Sequence, residues 1–152
     1  MSGPRPRVAV IHGVNLDQLG RRDESQYGSL TLPELEGQIA EDAQVLGLEV
    51  SFFQTNHEGA LVGHLHRLRD SADAILINPG AWTHYAWAIR EALEIAALPA
   101  LEIHLSDLAK REPWRHLSVI EDLCFATISG HGPAGYRDAL EALREYLGKD
   151  QI

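Results

Sequence analysis

The sequence predicts an α/β domain in which helices cover both faces of a five-stranded, doubly wound parallel sheet. Three observations predict it. Five short apolar runs recur along the chain. Four stretches with three-four apolar spacing alternate with them. The chain has 152 residues, the length of one ordinary domain. A chain that long buries roughly 70% of its unfolded surface without help from disulfides or metals.

The elements follow in order. Val8-Ala9-Val10-Ile11 is the first run and is rich in β-branched residues; the others are Leu48 to Phe53, Ala74 to Ile77, Leu98 to Ile103 and Cys124 to Ile128. Unbroken apolar runs of this length suit strands buried on both faces. Leu32, Leu35, Ile39, Ala43 and Leu46 recur at helical spacing. Thr31 and Glu34 form a capping-box pattern ahead of them, and Gly47 is the stop. Leu61, Leu65 and Leu68 mark a second helix. Ala86, Ile89, Leu93 and Ala96 mark a third, ended by Pro99, and Tyr136, Ala139, Leu140, Leu143 and Leu147 mark a fourth. Strict alternation with right-handed crossovers gives an open, flavodoxin-like sheet. One domain is expected over 1–152, with 1–6 as a disordered or arm-like tail and 148–152 as a C-terminal tail. Two connections are long, Gly13 to Leu30 and Leu105 to about Asp122, and 13–30 reads as a lid over the site.

Composition narrows the function. Apolar residues make up 45% and charged residues 23%, which is a globular balance. The net charge of −9 disfavours a general nucleic-acid or anionic-membrane binder. Cys124 is the single cysteine, which excludes an internal disulfide and a multi-cysteine zinc cage and points to a reducing compartment. The polar stretch Met1 to Arg7 is not followed by an apolar h-region, so no signal peptide is expected, and no apolar run nears the ~18 residues of a membrane helix. A cytoplasmic protein is the expectation.

In such a sheet the ligand sits beyond the carboxyl ends of the strands. His12, His57, His104 and His131 fall there, with His84 just beyond. Arg21, Arg22, Arg111 and Arg115 fall in the two long connections. An acidic chain has thus gathered basic and neutral polar groups at one end, which suits a small anionic substrate. The first loop, His12 to Gly20, fits neither G-x-G-x-x-G nor the P-loop, so dinucleotide and nucleotide readings are weak. A receiver domain would need acids where His12 and Asn78 stand. G-x-S-x-G is absent. Of the two lysines, Lys110 and Lys149, the second is in the tail, so Schiff-base chemistry is disfavoured.

Five blocks then carry a resemblance. They are G-x-N-L-x-x-L-G-x-R-x-x-x-x-Y-G at Gly13 to Gly28, F-x-Q-T-N-x-E-G at Phe52 to Gly59, I-N-P-G-A-x-T-H at Ile77 to His84, E-I-H-L-S at Glu102 to Ser106, and R-E-x-W-R at Arg111 to Arg115. In order and spacing the chain resembles the type II 3-dehydroquinate dehydratases from about Arg7 to Leu147. The resemblance implies a hydro-lyase that converts 3-dehydroquinate to 3-dehydroshikimate by anti elimination through an enolate, with no metal, cofactor or imine. It implies that Tyr27 is the base, with Arg22 stabilising its phenolate. It implies that His104 is the general acid, held by Glu102, and that Asn15 holds a water against the enolate. Asn78, His84, Arg115, Arg111 and the Leu105-Ser106 segment match substrate-binding positions. It also implies trimers grouped into a dodecamer, and a role in the shikimate route or in quinate breakdown.

The residues have readings of their own. Tyrosine is a poor base at neutral pH unless a cation stabilises its phenolate, and Arg22 lies five residues from Tyr27 in one loop. Tyr27 is also readable as a loop tyrosine packing on the surface. Glu102 and His104 are two apart on a strand and share a face, which suits a carboxylate-held acid; a half-exposed strand-end pair is the plainer alternative. Arg111 and Arg115, four apart, would share a helix face and grip a carboxylate or polyol, or form a solvated cluster with Glu112. Asn78 before Pro79-Gly80 is also a turn residue bonding its own backbone. His64 and His66 fall on different helix faces and do not suit a shared metal.

The chain departs from the family pattern at His12 (usually asparagine), Val14 (proline), Glu24 (proline), Asp107 (asparagine) and Glu91 (an aspartate that approaches the neighbouring subunit's site). None removes an implied role. The added acid predicts an altered affinity or a shifted pH optimum. The alternative function is a drifted member acting as a small-carboxylate binding module or on a related polyol acid.

Overall fold

The computed structural model describes residues 3–149. Five strands, β1 (Arg7–His12), β2 (Glu49–Gln54), β3 (Ala74–Asn78), β4 (Ala100–His104) and β5 (Ala126–Ser129), form one sheet in the order β2-β1-β3-β4-β5, parallel throughout. This is the flavodoxin-like order, with its reversal between β1 and β3. Five α-helices accompany it: α1 (Glu24–Tyr27), α2 (Leu32–Leu46), α3 (Glu58–His66), α4 (Trp87–Ala96) and α5 (Gly135–Lys149).

Side-chain alternation along the strands divides the core into two layers. Val8, Val10, Leu76, Leu101 and Ile103 pack with Leu35, Ile39, Leu140 and Leu143 of α2 and α5. Ala9, Ile11, Ile75 and Ile77 pack with Leu61 and Leu65 of α3 and with Ile89 and Leu93 of α4. The same alternation points Asn78 towards α2 and α5, and Glu102 with His104 towards α4.

Local signals set the helix ends. Thr31 Oγ1 accepts from the Glu34 N–H while Glu34 Oε1 accepts from the Thr31 N–H, at 3.3 and 3.0 Å. Gly47 closes α2 in the left-handed conformation at φ 73°. Other details differ from the sequence reading. β1, β3 and β4 are buried on both faces, but β2 and β5 are the half-exposed edges. β4 starts after Pro99, which has no N–H for the ladder. Leu68 lies in the turn beyond α3, and Cys124 lies before β5, where burial pushes its thiol up to about 12. α5 runs through Gly148 and Lys149, the first two positions of the expected 148–152 tail, and 150–152 lie outside the described residues. At the other end, the Pro6 carbonyl accepts from the Glu49 N–H at 2.9 Å, which ties part of the expected tail to the sheet, and residues 1 and 2 lie outside the described residues. Both long connections carry structure: a one-turn 3-10 helix and α1 in the first, and three such turns in the second.

His12 ends β1 with its side chain fully buried, stacked on Phe52 at 6.2 Å and beside Tyr136. Glu36 Oε2 lies 3.1 Å from Nε2, but neither ring nitrogen has an aligned hydrogen-bond partner. Burial therefore holds the imidazole at about 4, against an ordinary 6.5. The unfolded chain takes up this proton near pH 6.5 and the folded chain only near pH 4. Folding stability is thus expected to fall as pH drops through that window, by about 3 kcal/mol at most. Glu36, raised by its own burial, works in the opposite direction. Urea melts of His12→Asn should show a flatter decline between pH 6.5 and 4; parallel curves for the two proteins would assign the decline to other groups.

Candidate active site

An open cavity lies beyond the carboxyl ends of β1, β3 and β4. Two close backbone approaches build its floor. Gly13 follows β1 and donates its N–H to the Asn78 carbonyl at 2.7 Å; a Cβ there would overlap the Pro79 carbonyl. Gly80, at φ 67°, lies so close to the Val14 carbonyl that a side chain would meet it. Asn78 serves as the turn residue, its Oδ1 accepting from the Gly80 N–H at 3.0 Å, and it lines the cavity as well.

Asn15 adopts the left-handed conformation at φ 69°, which asparagine tolerates better than most residues. Its N–H donates to Asn56 Oδ1 at 2.8 Å, and the Asn56 amide donates to Asp17 at 3.0 Å. Asn56 thus fixes the segment that presents Asn15 to the cavity. Asn56 lies within a family block, but nothing local in the sequence ties it to residue 15.

Tyr27 ends α1, whose first turn is capped by Asp23 accepting from the Ser25 N–H at 2.9 Å. The Arg22 guanidinium donates to the phenolic oxygen at 2.9 Å and stacks 3.8 Å over the ring. Arg111, from the second long connection, donates to the same oxygen at 2.6 Å and to the Ser106 hydroxyl at 3.2 Å. The phenolic oxygen therefore accepts from two cations, one of which the sequence reading had grouped with substrate contacts.

Glu102 is fully buried behind His104 and holds its Nε2 at 2.6 Å. The Thr83 hydroxyl donates to Glu102 at 2.6 Å and the Ser118 hydroxyl at 2.8 Å. Burial pushes the carboxyl upward, and the donors from His104, Thr83 and Ser118 outweigh it, so Glu102 sits below the usual carboxylate value. An ionised Glu102 only accepts, so the His104 Nε2 carries its proton and Nδ1 is the nitrogen left for other partners. His84 donates from Nδ1 to the Leu117 carbonyl at 2.7 Å, which leaves its Nε2 as an acceptor. Burial lowers His84, with help from His104 and Arg115.

Arg111 and Arg115 do not share a helix face. Pro113 opens a new 3-10 turn between them, and each arginine ends a separate turn. Both reach the cavity nonetheless, as do Leu105 and Ser106 after β4. Glu112 braces Arg115 Nε at 3.1 Å, so the solvated-cluster reading also holds. Glu91 does not join them: it is exposed on α4. Val14 lines the cavity, whereas Glu24 starts α1 and Asp107 caps the turn at Leu108–Lys110, accepting from the Ala109 N–H at 3.2 Å. Among the described residues no group of three or more His, Cys, Asp or Glu is arranged to hold a metal ion.

One cavity thus joins a phenol between two cations, a carboxylate-held imidazole, and arginine, asparagine and histidine side chains fit for a polar anion. The chain matches the family model described as dehydroquinase class II over residues 6–144. It belongs to the class II dehydroquinase family. Similar members include 3-dehydroquinate dehydratase 2 of Pseudomonas putida, 47% identical over 143 residues, 94% of this chain and 96% of that one. The 3-dehydroquinate dehydratase of Caldicellulosiruptor bescii is 46% identical over 142 residues, 93% of this chain and 98% of that one. Among solved class II dehydroquinases, the type II enzyme of Propionibacterium acnes superposes with a TM-score of 0.89 at 38% identity, covering 95% of this chain and 99% of that one. Dehydroquinase family membership and the parallel α/β fold both agree with the sequence reading, and the relatives' name is that of a hydro-lyase.

Proposed function

We propose that the chain is a type II 3-dehydroquinate dehydratase. It removes water from 3-dehydroquinate by anti elimination and yields 3-dehydroshikimate. The observation that carries this reading is the Tyr27 oxygen between Arg22 and Arg111, in one cavity with the Glu102–His104 pair. Both guanidinium groups donate to this one oxygen, at 2.9 and 2.6 Å. Tyr27 as phenolate takes the C2 proton, and the electron pair moves into an enolate steadied by a water on Asn15. Collapse of the enolate expels the hydroxyl, to which His104 gives a proton from Nδ1, so water leaves. Tyr27 ends protonated and His104 deprotonated, and return of one proton between them completes the cycle.

The substrate is a carboxylated polyol. The Leu105-Ser106 segment receives its carboxylate, and Asn78, His84 and Arg115 receive its hydroxyls. The segment 13–30 acts as the lid. The chain works in the cytoplasm as trimers within a dodecamer, in which Glu91 approaches the neighbouring site. Exposed Tyr85 and Trp87 at the head of α4 are the kind of surface such packing covers. The reaction serves aromatic amino-acid biosynthesis or quinate breakdown.

The test is ultraviolet absorbance on mixing the protein with 3-dehydroquinate, with and without EDTA. The product's conjugated enone carboxylate should appear at the same rate in both. A folded protein that yields no absorbance would favour the drifted binding module.

A further inference from the structure

We infer that Ser118 is a positioning residue of this reaction: it couples the segment carrying Arg111 and Arg115 to the carboxylate that orients His104. The inference rests on the hydro-lyase reading of the site. Residues 112–114, 116 and 117 are exposed, and Leu117 is 58% exposed. Apolar burial does not fix them. Polar pins and one ring contact do: His84 to the Leu117 carbonyl at 2.7 Å, the Val119 N–H to the Thr83 carbonyl at 2.7 Å, Arg90 to the Val119 carbonyl at 2.7 Å, Trp114 edge-on to the His84 ring at 5.2 Å, and Ser118 to Glu102. The last is the pin that reaches the catalytic pair.

Counting protons fixes the directions. Glu102 accepts only, so the single proton of Ser118 goes to it, 2.8 Å from Oε1 and 3.0 Å from Oε2. The single proton of Thr83 goes to Oε2 at 2.6 Å. None is left for the 3.2 Å approach of the two hydroxyls. Ser118 Oγ in turn accepts from the Ile120 N–H at 3.3 Å, so the hydroxyl is set from both sides. Removing it takes a donor from a fully buried carboxylate and a tether from the arginine segment in one step. Removing the Thr83 hydroxyl takes only the donor, because Thr83 holds the segment through its backbone carbonyl.

The titratable groups facing Glu102 are His104 from its own strand, His84 from the turn after β3 and the Cys124 thiol from the segment before β5. Arg115 is the charged neighbour of His84. Loss of either hydroxyl makes Glu102 easier to protonate, and protonated Glu102 no longer stabilises a charged His104.

The test compares Ser118→Ala, Thr83→Val and Ser118→Thr in the full chain. Ser118→Ala should move the titration of the Glu102 carboxyl, followed by 13C NMR without substrate, to higher pH, and raise KM about fivefold at neutral pH. Thr83→Val should move that titration alike and leave KM within about twofold. Ser118→Thr, which keeps the hydroxyl, should restore both. The carboxyl readout separates the inference from the reading beneath it: wild-type protein without turnover defeats the hydro-lyase assignment, whereas an undisplaced Glu102 titration in Ser118→Ala defeats the role of Ser118. A KM unchanged in Ser118→Ala overturns it as well. If Ser118→Ala does not fold, Ser118→Cys keeps the volume with a weaker donor, and an unmoved Glu102 titration in that variant overturns the inference.

Discussion

Tyr27→Phe is expected to lower kcat about 10³-fold, within the range that loss of a positioned general base costs. KM should stay within about threefold, because the missing atom takes a proton from the substrate and its other bonds run to Arg22 and Arg111. The substitution is narrow. The ring remains under the Arg22 guanidinium at 3.8 Å, and the cap of α1 by Asp23 is untouched. Arg111 keeps its bond to the Ser106 hydroxyl. Steady-state kinetics on 3-dehydroquinate, with a thermal melt beside them, check this. A folded variant retaining a tenth or more of wild-type kcat would remove Tyr27 from the role of base.

His104→Ala is expected to lower kcat by about 10² to 10⁴, the usual contribution of a general acid. It carries a second effect that Tyr27→Phe lacks. Glu102 is fully buried and would lose its closest nitrogen donor, with only the Thr83 and Ser118 hydroxyls remaining. An under-satisfied buried carboxylate costs stability, here about 2 kcal/mol at neutral pH. The double variant with Glu102→Gln should recover part of that stability and none of the activity. Urea melts of the single and double variants measure the first, and steady-state kinetics the second. A single variant as fast as wild type would reassign the acid. A double variant less stable than either single one would show that Glu102 is not the source of the lost stability.

What the sequence disclosed follows from the range of each interaction. Thr31, Glu34 and Gly47 act within a few residues of one another, and their helix begins and ends where the pattern says. Glu102 and His104 needed only the two-residue period of a strand. An apolar run does not state how many neighbours its strand has, so the half-exposure of β2 and β5 was not legible. The family blocks pointed to Tyr27 and Arg22 together. They did not disclose that Arg111 meets the same phenolic oxygen, because that contact spans 84 positions and depends on how two long connections fold over the sheet. The spacing of Arg111 and Arg115 misled for a local reason: Pro113 starts a new turn between them. Thr83 stood inside a quoted block beside His84 and drew no attention. Ser118 lies in a stretch without periodicity, and only the fold reveals its partner.

The strand order has a consequence for the chain as it is made. β1 pairs with β3, and β4 enters only after a helix has crossed back. The phenol meets its second cation only when position 111 has been synthesised, and Glu102 gains its last donor only at position 118. Contacts of such long sequence separation form slowly, since closing their loops costs entropy before any bond repays it. An emerging polypeptide can therefore hold a paired β1, β2 and β3, with Tyr27 and Arg22 already made, and still lack Glu102, His104 and Arg111. Ribosome-bound fragments ending before Ser129 should be catalytically silent however well their first half is folded, and the interval between a protected sheet and the first turnover is a clock for the assembly of the two long connections.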